Sequence, residues 1–329
     1  HRDLHRLIRR QRLMCIRDSY IVLTLVFIIP RLAPGSPIDY LVENPRVPPE
    51  MREILLKKFG LDKPIFPDQY LKFLERVIFH FDFGYSFLYQ EPVFKIIVER
   101  LVWSIILMGS ALVLSSILGT MLGIFTAWKR GKAFDYTVTL SVLFVRSLPV
   151  FWVGMILLLY FSYYYNLLPT GGATTAGMKY SSFLDYVYDV LRHITLPLLA
   201  ITPIYTARYL MVMRNTMVDI LGEDFVFVAK VKGLSDRVVM FKHAARNALL
   251  PLITMLAIDI GSIMGGAVIT ETVFSYPGVG SLIYDAVLNH DYPLILGAFF
   301  IISAVTLFTI MVAEILYAVL DPKVRVSEV

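Results

Sequence analysis

Long apolar runs alternate with short polar segments along most of the chain. Five runs reach the roughly 20 residues that a helix needs to cross the ~30 Å hydrocarbon core of a bilayer. They cover residues 101–127, 137–163, 194–213, 249–270 and 293–320. A sixth run, residues 20–29, is half as long, and we interpret it as part of a truncated first helix; a short signal-like or interfacial segment is the alternative. The pattern predicts an all-α polytopic membrane protein with six transmembrane helices.

Charges in the loops predict the orientation of these helices, because Lys and Arg of short loops favour the cytoplasmic side. Loop 128–135 holds three such residues and the stretch from Arg214 to Arg246 holds six, whereas the connection 272–291 has none. Six helices with both termini in the cytoplasm satisfy this distribution. Residues 33–100 then form an external segment, and residues 214–248 form a cytoplasmic loop.

The external segment contains two helical patterns. The first begins at Pro48 and ends at Gly60, which fits the preference for proline at the start of a helix and glycine after its end. The second begins with Asp68 and places apolar residues at helical spacing as far as Ile78. We expect these short helices to form a cap over the external mouth of the membrane domain.

Composition agrees with a membrane protein. Hydrophobic residues make up 57% of the 329 residues and charged residues only 17%, which is too apolar for a soluble domain of this size. The net charge of +5 is explained by the predicted cytoplasmic loops and requires no nucleic-acid partner. The single cysteine, Cys15, excludes a disulfide framework and a cysteine metal site.

Residues 1–19 differ in character from the rest of the chain. The string MCIRDS (Met14 to Ser19) back-translates to ATGTGTATAAGAGACAG, which resembles the end of a transposon-derived sequencing adaptor. We interpret residues 1–19 as a non-native segment, with a basic targeting arm as the alternative. A single membrane domain is predicted for residues 20–329.

The loop at 214–248 has its own helical pattern. Residues 224–232 contain no helix breaker and end at Gly233, which can adopt the left-handed turn that closes a helix. Ser235 is expected to cap a second helix, with Asp236 at its positive end. Along that helix an apolar stripe is predicted beside three cations, and such a stripe needs a covering partner. The stripe consists of Leu234, Val238, Phe241 and Ala245.

This loop resembles the cytoplasmic EAA loop of the inner-membrane permease subunits of ABC importers, in particular their dipeptide, oligopeptide and nickel branch. The family writes it as EAA, three residues, glycine, nine residues, I-x-L-P. Ala229 and Gly233 match, whereas Phe227 and Val228 replace the glutamate and the first alanine. His243, Ala245 and Arg246 occupy the I-x-L-P positions, and proline follows only at Pro251. The strings EDFVFVAKVKGL and HAARNALLP are similar to the peptide and nickel branch.

The resemblance extends over nearly the whole chain after residue 20. In chain order, the similar strings are RLAPGSP, FGLDKP, DFGYS, EPVFKII, SLPVFW, ETVFSYPGVG, NHDYP and EILYAVLDPKVR. RLAPGSP departs from the branch pattern by carrying Ser36 where aspartate is usual. Eight strings in the right order identify residues 20–329 as an ABC transporter transmembrane permease domain.

The resemblance implies the function and the partners. The EAA loop of such permeases docks a coupling helix into a groove of a cytoplasmic ATPase subunit. The implied complex holds a second homologous permease, two ATPase subunits and an extracytoplasmic solute-binding protein, in a bacterial or archaeal cytoplasmic membrane. Dipeptides or oligopeptides are the expected cargo, with nickel chelate, glutathione or sugar as alternatives. The expected ATPase-coupling residues are Asp224, Ala229, Lys232, Gly233, Leu234, Val238, Phe241, His243, Arg246 and Asn247.

Motifs for catalysis or for ATP binding are missing from the sequence. GxxxxGK[ST], HExxH and GxSxG do not occur, and the histidines after residue 19 lack ligand spacing. We therefore expect no catalytic centre, metal or cofactor on this chain, with ATP and Mg²⁺ bound by the partner ATPases. An ion-coupled secondary transporter is a rival class, but it would carry a repeated half, which the sequence lacks. A membrane enzyme would need a polar cluster that these runs do not supply.

Ionisable residues within the membrane mark candidates for the translocation path. Arg146 lies within the second run and could meet a substrate carboxylate or a partner acid, or snorkel to the cytoplasmic surface. Asp259 lies within the fourth run beside Gly261 and Gly265, which predict a close helix contact. We expect this helix to line the path shared with the second permease, with Asp259 near it; a local hydrogen bond to a neighbouring helix is the alternative. Glu271 is a third candidate, for which a structural role is the alternative. For Glu314, too, a structural role is the alternative to ligand contact. Asp321 and Pro322 are expected to end the last helix.

Overall fold

The structure is a computed structural model that describes residues 63–320 without a gap. Before them it describes residues 17, 20–21, 23–28, 48, 53–54 and 57, and the side chains of residues 262, 264 and 313–320 are not described. The predictions for the adaptor-like segment, for most of the first external helix, for Glu314 and for the end of the last helix therefore lie outside the described residues.

The described part of the chain is helical and contains no β-strand, only one isolated bridge between Tyr85 and Pro92. From residue 63 onward, the α-helices are α1 Tyr70–His80, α2 Val93–Trp128, α3 Ala133–Ser147, α4 Val150–Leu157, α5 Phe183–Leu221, α6 Asp224–Val231, α7 Asp236–Val238, α8 Arg246–Ser262, α9 Val268–Val273, α10 Val279–Leu288 and α11 Tyr292–Leu320. π-Helical turns cover Ile65–Gln69, Leu158–Tyr164 and Val239–Ala245, and a 3₁₀ turn covers Ile263–Gly265.

Two long helices, α2 and α5, form the centre of the fold. They approach closely because glycines of α2 face side chains of α5: a Cβ on Gly119 would lie 2.5 Å from the Cβ of Tyr209, and one on Gly123 would lie 2.6 Å from that of Met213. Small residues at such crossings allow membrane helices to pack tightly. The predicted spans 101–127 and 194–213 lie inside these two helices and are confirmed.

The predicted span 137–163 is not one straight helix. α3 and the helix that begins at Val150 are bent by 91°. Pro149 causes the break, since the residue before a proline is driven out of the helical region and Leu148 is extended at φ −78°, ψ 133°. The prediction of a single continuous helix was therefore wrong, although the string SLPVFW carried the signal.

The predicted span 249–270 ends early. The helix that begins at Asp236 and includes α8 stops near Gly261, and Gly266 then takes a left-handed conformation with φ +66°. A Cβ on Gly266 would lie 2.8 Å from both Glu271 Oε1 and Gly280 N, so the turn needs glycine. Gly261 makes the predicted close helix contact, with Thr309 of α11. A Cβ added to Gly261 would lie 3.3 Å from the Cβ of Thr309.

The last predicted span, 293–320, corresponds to α11 and is confirmed. Four helices in the described residues are long and apolar enough to cross a membrane, or five if the bent α3–α4 pair is one span. Residues 20–21 and 23–28 are helical, as expected for the truncated first span. The count of six transmembrane helices stays a prediction.

The second external helix, predicted from Asp68 onward, is α1. Val77 of α1 is buried in a cluster with residues of α2, α10 and α11, among them Ile97, Leu282 and Leu294. Tyr70 also reaches the first apolar run, where its hydroxyl lies 2.7 Å from Thr24 Oγ1. α1 is thus attached to one end of the helical bundle.

The loop between residues 165 and 182 is fastened to α5 at Asp189. The Asp189 carboxylate accepts hydrogen bonds from Thr175 N, Thr175 Oγ1 and Tyr180 OH, each 2.7 Å long. The hydrogen bond to Asp189 and partial burial raise the pKa of the Tyr180 phenol. The loop therefore has a defined course beside the start of α5.

Candidate functional site

The 214–248 loop folds as two helices around a left-handed glycine, as predicted. α6 ends at Val231 and Gly233 has φ +76°, with open space around the position of a Cβ. Glycine is therefore required by the backbone conformation and not by crowding. Ser235 stands at the cap position of α7, but its side chain forms no capping bond; its backbone oxygen accepts from Val239 N at 3.0 Å.

One side of α6 anchors the loop to the membrane helices. Val226 and Ala229 are buried against Val239 and against Trp128 at the end of α2. The Lys230 ammonium lies 5.4 Å from the centre of the Trp128 indole, a cation–π contact. The loop is therefore packed on the ends of α2 and α5 and does not project freely.

The other side of α6 is apolar and exposed. Phe227 is 68% exposed and Val231 71%, and Val228 and Leu234 continue the same surface. We call Phe227, Val228, Val231 and Leu234 the α6 patch. Phe227 and Val231 were not predicted to form such a surface, because the sequence pattern indicated an apolar stripe on the second helix. The signal was the apolar majority of DFVFVAKV, of which only one side is buried.

The stripe predicted along the second helix is divided. Leu234 and Phe241 are partly exposed, but Ala245 is buried, so the prediction of one uncovered stripe was wrong at that end. The reason is the π-helical turn Val239–Ala245, whose wider turn removes the alignment of positions three or four apart. Phe241 lies edge-on to Phe125 of α2, with ring centroids 6.1 Å apart.

The polar coupling candidates surround this region. Asp224 lies in the first turn of α6, and Lys232, Arg246 and Asn247 are exposed. His243 and Val238 are half-buried, and Asn247 Nδ2 donates to the His243 oxygen at 3.0 Å. Lys232 directly follows Val231 of the α6 patch in the chain, whereas Ala229 contributes packing from within.

Asp259 is buried between α8 and α5. Its Oδ1 accepts from Arg208 Nη1 at 2.7 Å, and its Oδ2 accepts from Tyr209 OH at 2.8 Å. The Asp259 side chain is 5% exposed and that of Arg208 is 45% exposed. Arg208 was not predicted as a candidate, although a charge inside the run 194–213 was itself the signal.

Glu271 is fully buried and joins three elements. Its Oε1 accepts from Ser104 Oγ of α2 at 2.8 Å and from Ala267 N at 3.1 Å, and its Oε2 accepts from Ser281 N of α10 at 2.9 Å. The carboxylate also contacts Gly278, where any side chain would collide with it. Glu271 thus has the geometry of a structural junction, and the glycines of SYPGVG wrap around it.

Arg146 lies in the last turn of α3, exposed, two residues before the bend at Leu148. No hydrogen-bond partner for its side chain is seen among the described residues. Arg146, Asp259 and Glu271 lie on separate helices and share no partner, so the structure does not bring the three path candidates together.

A second buried ion pair joins the start of α3 to α5. Arg214 Nε and Nη2 donate to the two oxygens of Asp135 at 2.7 and 2.8 Å, and Gly131 N donates to the same carboxylate at 3.1 Å. Asp135 is 2% exposed. From the sequence, Arg214 was predicted only as a loop cation. Among the described residues, no group of three or more His, Cys, Asp and Glu is placed to hold a metal ion.

Comparison with known proteins identifies the family. The family model of the binding-protein-dependent transport system inner membrane component matches residues 119–326, which include the 214–248 loop and extend past the end of α11. The chain belongs to this family. It is an inner-membrane permease subunit of an ABC importer, and a multi-pass membrane protein.

Curated relatives match almost from end to end. The dipeptide transport system permease protein DppB of Escherichia coli K12 is 31% identical, over 96% of this chain and 97% of the relative. The oligopeptide transport system permease protein AppB of Bacillus subtilis 168 is 32% identical, over 96% and 98%. The di/tripeptide permease DppB of Pseudomonas aeruginosa UCBPP-PA14 is 32% identical, over 97% and 98%.

Proposed function

We propose that this permease forms half of the translocation pore of an ATP-driven importer of dipeptides and oligopeptides. The relatives that match over nearly the full length are named as dipeptide, di/tripeptide and oligopeptide permeases, which supports this cargo. Nickel chelate and glutathione stay as alternatives within the branch. A homologous permease forms the other half, and a solute-binding protein delivers the peptide.

The observation that carries the proposal is the α6 patch, an uncovered apolar surface held rigidly at one end of the membrane helices. Each large apolar side chain contributes about 2 kcal/mol when it is buried by a partner. The exposed Lys232, Arg237 and Arg246 of the same loop would steer a partner of complementary charge. We assign this surface to docking of a separate ATPase subunit, and we add Phe227 and Val231 to the coupling residues.

Two attachments would carry motion from the ATPase into the membrane. Val226 and Ala229 pack α6 on the ends of α2 and α5. A displacement of the α6 patch by the ATPase would therefore also displace these two helices. The Asp135–Arg214 pair ties the start of α3 to α5 as well. ATP binding by two ATPases would close them, move α6 and switch the pore between its two sides. ATP and Mg²⁺ belong to the ATPases in this scheme.

The test is reconstitution of the complete transporter in proteoliposomes with its ATPases and binding protein. Labelled di- and oligopeptides should accumulate only when ATP is supplied on the ATPase side. Uptake that survives ATP depletion but collapses with a protonophore would contradict the proposal and favour an ion-coupled carrier. Uptake of a nickel chelate or glutathione in place of peptides would keep the permease role and change the cargo.

A further inference from the structure

Polar side chains form a line on one exposed face of α5. Arg208, Asn215 and Asp219 are all exposed. At 100° per residue, steps of seven and eleven residues bring Asn215 and Asp219 to within about 20° of Arg208 around the helix. At 1.5 Å per residue the line is about 17 Å long. The three polar residues therefore share one face of α5, with the half-buried Met211 and Val212 between Arg208 and Asn215.

The contact between α5 and α2 fixes the depth of Arg208. Its neighbour Tyr209 packs on Gly119 of α2. Gly119 lies five residues from the centre of the apolar run 101–127, which is about 8 Å along the helix. The hydrocarbon core extends about 15 Å to either side of its centre, so the backbone at Arg208 lies within it.

A half-exposed guanidinium at this depth does not face lipid. Charged side chains within a bilayer are costly and face the interior of a helix bundle or a water-filled cavity. The side chain of Arg208 is 45% exposed on the single chain. This surface, with Asn215 and Asp219 along the same face, is therefore expected to border water or the second permease.

The ion pair with Asp259 leaves Arg208 able to bind a ligand. Asp259 accepts a hydrogen bond from Nη1 of Arg208. No described residue accepts a hydrogen bond from Nε or Nη2 of the guanidinium. An arginine has five N–H donors in a planar fork that matches both oxygens of a carboxylate. Because Asp259 is 5% exposed, the accessible end of the pair is the cation. The accessible guanidinium of Arg208 therefore favours a carboxylate as its ligand.

We propose that Arg208 binds the free C-terminal carboxylate of the peptide on its way through the pore. The inference rests on the proposed peptide-permease function and adds a substrate-binding residue to it. Asp259 is a positioning residue that holds the guanidinium from behind, with Tyr209 on its other oxygen. Arg208 would thus favour peptides with a free carboxylate over peptides whose C-terminus is blocked.

The experiment uses the intact transporter in proteoliposomes, with wild-type, Arg208→Gln and Arg208→Lys permease. Uptake rates are measured for one dipeptide with a free C-terminus and for its C-terminal amide. The wild-type binding protein is used throughout, so its own preference cancels when the acid-to-amide ratio of a variant is divided by that of the wild type. Arg130→Gln, in the exposed turn between α2 and α3, is the matched control.

Arg208→Gln should lower the acid-to-amide ratio by about tenfold or more, the size expected for loss of a hydrogen bond to a charged group. Arg208→Lys should give an intermediate ratio, because lysine keeps the charge but not the fork. Arg130→Gln should leave the ratio unchanged, and copurification of the ATPase should be equal in all variants. An unchanged ratio in Arg208→Gln, whatever its uptake rate, would overturn the assignment. Failure of the wild type to import either peptide would instead contradict the proposed function on which it rests.

Discussion

Arg214 of α5 and Asp135 of α3 form a two-pronged ion pair, with donor–acceptor distances of 2.7 and 2.8 Å. Asp135 is buried, and Arg214 lies seven residues before the end of α5 at Leu221. The pair therefore joins the helix that leads into the 214–248 loop to the helix that begins the bent pair.

Removal of one partner of this pair should destabilise the permease. Asp135→Asn leaves the Arg214 charge without its counterion, and the loss of one partner of a buried pair costs about 3–5 kcal/mol. We expect a lower midpoint of thermal unfolding in detergent for Asp135→Asn and for Arg214→Gln. A double-mutant cycle measures the coupling; purely additive effects of the two changes would show that the pair contributes nothing.

Two glycines of α2, Gly119 and Gly109, differ in how closely other helices pack against them. A Cβ on Gly119 would lie 2.5 Å from the Cβ of Tyr209, whereas a Cβ on Gly109 meets nothing within 4 Å. Gly119→Ala should destabilise the protein by about 1–3 kcal/mol, the usual cost of overpacking. Gly109→Ala should be neutral or stabilise by up to about 1 kcal/mol, since alanine is the better helix former. Equal unfolding midpoints for the two variants would contradict the close α2–α5 contact.

Replacement of Glu271 by glutamine should be disruptive in spite of equal size. Both carboxylate oxygens accept hydrogen bonds, from Ser104 and Ala267 on one side and from Ser281 N on the other. An amide NH₂ would face a donor at one of these positions, and an unsatisfied buried donor costs about 1–3 kcal/mol. Faster proteolysis around residues 266–281 in Glu271→Gln is the expected sign. An unaltered proteolysis pattern would argue against the junction.

Sequence patterns predicted the elements that depend on local chemistry. Gly233 was assigned a left-handed turn from its place after an unbroken helical stretch, and the structure confirms it. The break at Pro149 had an equally local signal, but the length of the apolar run obscured it. α1 followed from the spacing of its apolar residues alone.

Features that depend on partners distant in the chain could not be predicted in this way. Arg208 and Asp259 are 51 residues apart, and nothing in either segment indicates that they meet. Ala245 was assigned to an exposed stripe because a regular helix was assumed, and the π-helical turn that buries it depends on packing against other helices.

Docking of the ATPase on the α6 patch can be measured by copurification of the ATPase with variants of the permease. Phe227→Glu places a charge in the patch, while Phe183→Glu makes the same change at a residue that is 76% exposed at the start of α5. We expect Phe227→Glu to insert into the membrane at wild-type level but to lose the ATPase, and Phe183→Glu to retain it. Gly233→Val should resemble Phe227→Glu, because a β-branched residue opposes φ +76°. Full retention of the ATPase by Phe227→Glu, with normal peptide uptake, would contradict the account.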